Sequence, residues 1–252
     1  MILQTILIGC LYLITSFEPF FGTSLIGRAI ICGPLTGLIM GDMQAGIIMG
    51  GTLELAFIGA VSIGAYDPPD VASGTILGTA FAMQAGAGPE VALALGLPIS
   101  TIMQTVVAIC WGLFPTIWMH RADTQAAKGN VKGVEWNMFW AGTVPILVTF
   151  WIVPAAFYFG NDAIVSLLGV IPDFIVTGMD IAAGVIPAIG FAMLAQMIMN
   201  RKVAPYFFIG YFMVQYIGVT TTGIAIFAIL IAFLVVSREG KQKETEVVGD
   251  DF

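Results

Sequence analysis

Apolar segments follow one another along almost the whole chain and are separated by short polar interruptions. Their hydrophobic cores lie at residues 1–17, 25–40, 44–63, 91–119, 138–159, 181–199 and 203–236. A helix that crosses a bilayer needs about 20 mostly apolar residues, and most of these segments approach or exceed that length. The pattern therefore predicts an all-α polytopic membrane protein, in which prolines and glycines break several of the helices.

The composition supports the same class. The 252 residues are 58% hydrophobic and only 10% charged, whereas an ordinary soluble domain has about 25% charged residues. A soluble protein of this length could not hide so much apolar surface in one core. The three cysteines lie in apolar segments without the spacing of metal ligands, so we interpret them as small buried hydrophobic residues.

Acidic side chains interrupt the hydrophobic pattern between residues 41 and 81. The four carboxylates of this stretch are Asp42, Glu54, Asp67 and Asp70. A carboxylate at membrane depth costs about 2.5–3.5 kcal/mol on insertion scales, so such groups face a protein interior or a wet cavity. We therefore predict a polar substrate site within residues 41–104.

The backbone of this stretch is also predicted to be irregular. We expect a helix over 44–63, an extended or re-entrant break over 64–70 and a half-helix over 71–85. The prolines after Asp67 disfavour helix at that residue, and the Ala/Gly/Thr-rich run that follows suits close helix packing in lipid. Irregular backbone inside a membrane is tolerated only where protein or water satisfies its polar groups.

Basic residues indicate an orientation. Of the nine Lys and Arg residues, three lie in 120–137, two at 201–202 and three in 237–252. The positive-inside rule places these segments in the cytoplasm. We thus predict one integral membrane unit over 1–236 with a cytoplasmic loop at 120–137, followed by a disordered polar cytoplasmic tail.

Few residues could perform covalent chemistry. The single histidine, His120, is beside Arg121 at the predicted interface, and the sequence has no Cys/His cluster, P-loop or nucleophile elbow. We predict no catalytic residue, metal or cofactor. Asp42 and Asp70 could cap the helices that follow them, and Glu54 could be a structural carboxylate. All three carboxylates could instead bind a hydroxylated solute or a cation. Gln104 is predicted to face the protein interior.

Several motifs resemble a known family in order along the chain. They are GDMQAGIIMGGTLE at Gly41–Glu54 with the Pro69-Asp70 pair, the Pro98…Gln104 helix, DIAAGVIPAIGFAML at Asp180–Leu194 and PYFFIGYF at Pro205–Phe212. This set resembles the membrane IIC component of the mannose/fructose/sorbose family of the phosphoenolpyruvate-dependent sugar phosphotransferase system.

The resemblance implies a bacterial inner-membrane protein that pairs with a IID membrane subunit and assembles further, as a trimer of such pairs. It also implies that a core domain carries the sugar past scaffold helices in an elevator-like step. A soluble IIA–IIB relay, charged through HPr, would phosphorylate the sugar in the cytoplasm, so this chain should carry no phosphoryl group.

Positions matching the family motif are Asp42, Gly50, Gly51, Thr52, Glu54, Asp70 and Gln104. From the resemblance we expect Glu54 and Asp70 to accept hydrogen bonds from sugar hydroxyls, with Thr52 and Gln104 as supporting contacts. Asp67 is not transferable, because its surroundings vary in the family, and it could help to select the sugar. Asp42, Gly50 and Gly51 are expected to be structural.

Two other functions stay open at this point. The same carboxylates could serve an ion- or proton-coupled secondary transporter of a small polar solute. The chain could also be a non-transporting scaffold or receptor, for instance a docking site for bacteriocins as some family members are. Mannose, glucose, fructose, sorbose and amino sugars are all compatible with the sequence.

Overall fold

Helices make up the regular structure throughout the described part of the chain. The computed structural model describes residues 1–22, 25–60, 67–168, 173–201 and 203–249. The elements are α1 (Ile2–Ser16), α2 (Glu18–Phe21), α3 (Ala29–Met40), α4 (Met43–Phe57), α5 (Val71–Gln84), α6 (Pro89–Ala127), α7 (Val131–Phe150), α8 (Ile152–Leu168), α9 (Asp173–Ile198), α10 (Ala204–Phe212), a π-helical turn (Met213–Ile217) and α11 (Thr221–Gly249). The predicted all-α class is confirmed.

The chain divides into two compact units, Met1–Leu194 and Ala195–Phe252. Among the described residues, Pro89–Ala127 and Val131–Gly160 are long and apolar enough to cross a membrane, and shorter apolar helices accompany them. Large apolar side chains such as Ile102 and Phe159 are exposed on the first unit. A lipid environment accepts such surfaces, which a soluble protein rarely presents in quantity.

Turn and cap residues set the boundaries around the predicted break. Gly41 ends α3 with a φ of +99°, which glycine adopts readily. The Asp42 carboxylate then accepts a hydrogen bond from the Ala45 N–H at 3.0 Å and starts α4. Residues 67–70 are irregular and Asp70 starts α5. The rest of the predicted break, 64–66, lies outside the described residues.

The structure differs from the sequence prediction in two polar regions. Residues 120–137, predicted as a loop, are helical except for the turn at Lys128–Asn130. With 39 residues, α6 is about 58 Å long, which exceeds the roughly 30 Å hydrocarbon core. α11 likewise continues to Gly249 through the tail that was predicted to be disordered. Both segments are charged but contain no proline. Because charged residues alone do not end a helix, the helices continue through them.

Glycines bring α3 and α4 into backbone contact. A Cβ atom added to Gly46 would lie 2.6 Å from the Gly37 Cα, and one added to Gly50 would lie 2.9 Å from the Gly33 Cα. The two helices form an antiparallel hairpin around Gly41. We call these four glycines the α3–α4 glycine seam. Small residues allow this close packing in lipid. Helix association there depends on van der Waals contact between the helices and not on the hydrophobic effect.

The half-helix α5 is the most enclosed element of the first unit. All its residues from Ala72 to Ala82 are buried, and it contacts α1, α3, α4, α6 and α8. Glycine again allows the closest approach, because a Cβ on Gly78 would lie 2.9 Å from the Gly96 Cα of α6. This packing fixes the N-terminal end of α5, where the polar break ends.

Candidate functional site

A cavity of about 700 Å³ lies at the N-terminal end of α5, beside the break. Its volume is in the range of small-molecule binding clefts. The lining residues are Tyr12, Thr15, Ser16, Glu18, Pro19, Gly22, Leu25, Gly27, Arg28, Ala60, Asp67, Pro68, Pro69, Asp70, Val71, Ala72, Gln104, Val107, Trp111, Ile146 and Thr149. The wall thus combines carboxylates, hydroxyls, an amide, a guanidinium and an indole.

Asp70 ties the break to three helices. Its Oδ1 accepts a hydrogen bond from the Ser73 N–H at 3.5 Å, which caps α5, and its Oδ2 accepts one from the Tyr12 hydroxyl of α1 at 2.9 Å. Its backbone N–H donates to the Ser100 carbonyl of α6 at 3.1 Å. Asp70 therefore has a structural role in addition to its place in the cavity wall.

Asp67 and Gln104 form a second polar link in the cavity wall. The Gln104 Nε2 of α6 donates a hydrogen bond to Oδ2 of Asp67. Among the described residues, no donor engages Oδ1 of Asp67 and nothing engages Oε1 of Gln104. These two oxygens can therefore accept hydrogen bonds from a solute, while the amide holds the carboxylate in place.

Glu54 has protein partners on both of its oxygens. Oε1 accepts a hydrogen bond from Nε of Arg28 at 2.9 Å and forms an ion pair with Nη2, while Oε2 accepts one from the Ile30 N–H at 3.1 Å. Arg28 lines the cavity, and Glu54 is not among the lining residues. The prediction that Glu54 accepts a sugar hydroxyl stays a prediction.

Glu18 fixes the backbone that leads to Arg28. Its carboxylate oxygens accept hydrogen bonds from the Leu25 N–H at 2.7 Å and the Gly27 N–H at 2.9 Å. Leu25 has a φ of +58°, a left-handed conformation uncommon for a leucine. The Glu18 carboxylate thereby stabilises an otherwise unfavourable turn directly before Arg28.

Sequence reasoning missed Tyr12, Glu18, Arg28 and Trp111 as wall residues. Arg28 did give a signal, because it is the one basic residue outside the three basic groups that are predicted to be cytoplasmic. The aromatic residues gave none, since apolar helices contain many. Among the described residues, no group of three or more His, Cys, Asp or Glu side chains could hold a metal ion.

The remaining predicted residues lie on α4 or at its start. The Thr52 hydroxyl donates to the Ile48 carbonyl of its own helix at 3.0 Å, and Thr52 is not among the lining residues. Gly50 belongs to the glycine seam, whereas a Cβ added to Gly51 would meet, among the described residues, no heavy atom from outside the local helix backbone within 4 Å. Asp42 caps α4. Of the predicted site residues, the cavity thus unites Asp67, Asp70 and Gln104.

Comparison with known proteins identifies similar chains over most of the sequence. A family model described as the PTS system sorbose-specific IIC component matches residues 2–234. The N-acetylgalactosamine permease IIC component 1 of Escherichia coli (strain K12) is 30% identical over 87% of this chain and 82% of that protein. The fructose permease IIC component of Bacillus subtilis (strain 168) is 30% identical over 92% and 86%.

A mannose-specific EIIC component of the phosphotransferase system in Escherichia coli (strain K12) is 27% identical over 85% of this chain and 80% of its own. Two solved structures share the fold. A chain titled as a membrane protein has a TM-score of 0.80 and 25% identity, with coverage of 94% of this chain and 96% of its own. A chain from a complex of the mannose transporter ManYZ with microcin E492 has a TM-score of 0.59, 24% identity and the same coverage.

Proposed function

The chain belongs to the family of sorbose-specific IIC components of the phosphotransferase system, and on this basis we propose that it binds a sugar and carries it across the membrane. The family consists of integral membrane components of mannose-class permeases. The resemblance stated from the sequence motifs is therefore confirmed. The substrate is a hexose or an amino sugar in this proposal, because the similar proteins bear the names of N-acetylgalactosamine, fructose and mannose.

The observation that carries the proposal is the mixed polar wall of the cavity. Asp67 and Gln104 offer acceptors, Arg28 offers donors and Trp111 offers an aromatic face. A sugar hydroxyl both donates and accepts hydrogen bonds, so it needs such a combination. The wall is built at a helix break, where irregular backbone at membrane depth is tolerated because it lines a cavity.

The geometry suggests how binding and transport are linked. The break residues, the N-terminal end of α5 and the middle of α6 all line the cavity, and hydrogen bonds join them into one body. In our proposal this body, within residues 41–104, moves with the bound sugar in an elevator-like step. The chain itself performs no phosphoryl transfer; it presents a sugar hydroxyl to a soluble phosphocarrier.

The proposed partners follow from the same class. We expect a IID membrane subunit beside this chain, a soluble IIA–IIB relay on the cytoplasmic side and a trimer of IIC–IID pairs. The similar structure named as a ManYZ complex supports a membrane partner. We propose that the C-terminal end lies in the cytoplasm, because basic residues cluster at 120–137, 201–202 and in the tail.

Uptake in reconstituted vesicles tests the proposal. Proteoliposomes would contain this chain with its IID subunit, and radiolabelled mannose, fructose, sorbose or N-acetylgalactosamine would be added outside. We expect accumulation of one phosphorylated sugar only when IIA, IIB and phosphorylated HPr are enclosed, so that the phosphoryl group passes from HPr through IIA and IIB to the sugar. Accumulation of unmodified sugar driven by an ion gradient alone would contradict the proposal and would favour a secondary transporter.

A further inference from the structure

Among the residues that line the cavity, Arg28 has the most hydrogen-bond donors. It forms an ion pair with Glu54, which is not a lining residue. We infer that Arg28 donates hydrogen bonds to the bound sugar, and that Glu54 is a positioning residue that acts through Arg28 without touching the sugar. This inference rests on the proposed function. It assigns the contact to a residue that the motif comparison did not select, and it gives Glu54 a different role.

The Arg28 guanidinium has more hydrogen-bond donors than its contact with Glu54 uses. Its Nε and Nη2 both point to the same oxygen of Glu54. A guanidinium carries further N–H groups on Nη1 and Nη2, and among the described residues none of these has an acceptor. The side chain is 21% exposed and lies on the cavity wall, so the remaining donors are available to a ligand oxygen.

Both oxygens of the Glu54 carboxylate already have protein donors. One of its oxygens accepts from Arg28 and the other from the Ile30 N–H at 3.1 Å. To bind a sugar hydroxyl in place of these donors, Glu54 would have to release a charged partner in a partly buried site. An uncompensated charge there is unfavourable. Its hydrogen-bonding capacity is thus directed at the protein.

Protein contacts hold Arg28 in position, and Glu54 balances its charge. Arg28 is the residue before α3, and Glu18 fixes the backbone in front of it through the Leu25 and Gly27 N–H groups. The side chain is therefore held both at its backbone and at its Nε edge. Because Glu54 neutralises the guanidinium, the site offers directed donors with no net positive charge, which suits a neutral hydroxyl better than an anion.

A double-mutant cycle on sugar binding tests the inference. The complex with the IID subunit is purified, and binding is measured for whichever of mannose, fructose, sorbose and N-acetylgalactosamine the wild type takes up. We expect Arg28→Met and Glu54→Gln each to weaken binding about tenfold or more. The double variant should bind no more weakly than Arg28→Met, because Glu54 acts only through the arginine. If the loss of affinity in the double variant equals the product of the two single losses, Glu54 contacts the sugar independently and the inference is overturned.

The affinities for deoxy sugars distinguish a direct contact between Arg28 and the sugar from a purely structural role of Arg28. Removal of the hydroxyl that Arg28 contacts should weaken binding to the wild type but cause no further loss in Arg28→Met. Hydroxyls elsewhere on the ring should matter equally in both proteins. If every deoxy analogue shows the same relative loss in both, Arg28 does not touch the sugar. Arg28→Lys keeps the charge but loses the planar fork, and it serves as the probe if Arg28→Met fails to fold.

The two hypotheses fail in different ways. If the wild-type complex neither binds nor accumulates any of the four sugars, the proposed function fails and the inference fails with it. If the wild type transports a sugar while Arg28→Met binds that sugar with unchanged affinity, only the inference is overturned. Loss of binding with retained thermal stability of the variant supports it.

Discussion

The α3–α4 glycine seam predicts that a methyl group added at Gly46 lowers the free energy of unfolding. In Gly46→Ala, the new Cβ would lie 2.6 Å from the Gly37 Cα and 2.6 Å from the Gly33 carbonyl oxygen. Both neighbours are backbone atoms, so no side chain can rotate away. The helices must separate instead. Gly51→Ala is the matched control, since it lies on the same helix and, among the described residues, no heavy atom from outside the local helix backbone lies within 4 Å of the added carbon.

The magnitude follows from the difference between the two variants. Replacing glycine by alanine within a helix is favourable by up to about 1 kcal/mol, and this gain applies to both positions. Overpacking of a tight contact costs about 1–3 kcal/mol. We therefore expect Gly51→Ala to leave the free energy of unfolding unchanged or slightly raised, and Gly46→Ala to be less stable than Gly51→Ala by about 1–3 kcal/mol.

Unfolding in mixed detergent micelles with increasing dodecyl sulfate, followed by circular dichroism, measures this difference. Because both variants change the same residue type in the same helix, intrinsic propensity cancels in the comparison. Equal stability of the two alanine variants would refute the close packing of α3 on α4. It would also remove the structural basis for the position of Glu54 beside Arg28.

Two further predictions concern the polar links of the cavity. Tyr12→Phe keeps the ring but removes a donor to the partly buried Asp70, so we expect about 1–3 kcal/mol lower stability in the same unfolding assay. The more exposed Tyr158 supplies a control, Tyr158→Phe, which should unfold like the wild type. Gln104→Leu removes the amide that holds Asp67, and we expect a KM for sugar uptake raised by about tenfold with little loss of stability. An unchanged KM would contradict a role for this pair in the site.

The helix boundaries near the site were predictable because local chemistry sets them. Gly41 and the caps Asp42 and Asp70 mark the ends of helices in the sequence as they do in the structure. The extension of α6 to Ala127 was not predictable from the same reasoning. Charge indicates contact with water, but it does not end a helix unless a breaking residue or a competing cap accompanies it.

The ion pair between Arg28 and Glu54 could not be predicted from the motif that contains Glu54 alone. Glu54 was interpreted from its own apolar neighbours, and its partner lies 26 positions earlier in the chain. The glycine spacing does contain the missing information. An antiparallel hairpin that places Gly37 opposite Gly46 also brings Arg28 next to Glu54. The partner depends on the register of two packed helices, which no local pattern of α4 specifies.

The most direct test of the central claim asks whether the sugar occupies the cavity. A cysteine is placed at Val107, which lines the cavity, and another at Ala126, which is exposed near the turn at the end of the same helix, after the native cysteines are replaced. Modification by a water-soluble thiol reagent is then timed with and without the transported sugar. We predict that the sugar slows modification of Val107→Cys severalfold and leaves Ala126→Cys unchanged. Equal modification rates at Val107→Cys with and without a sugar that the complex transports would contradict the account.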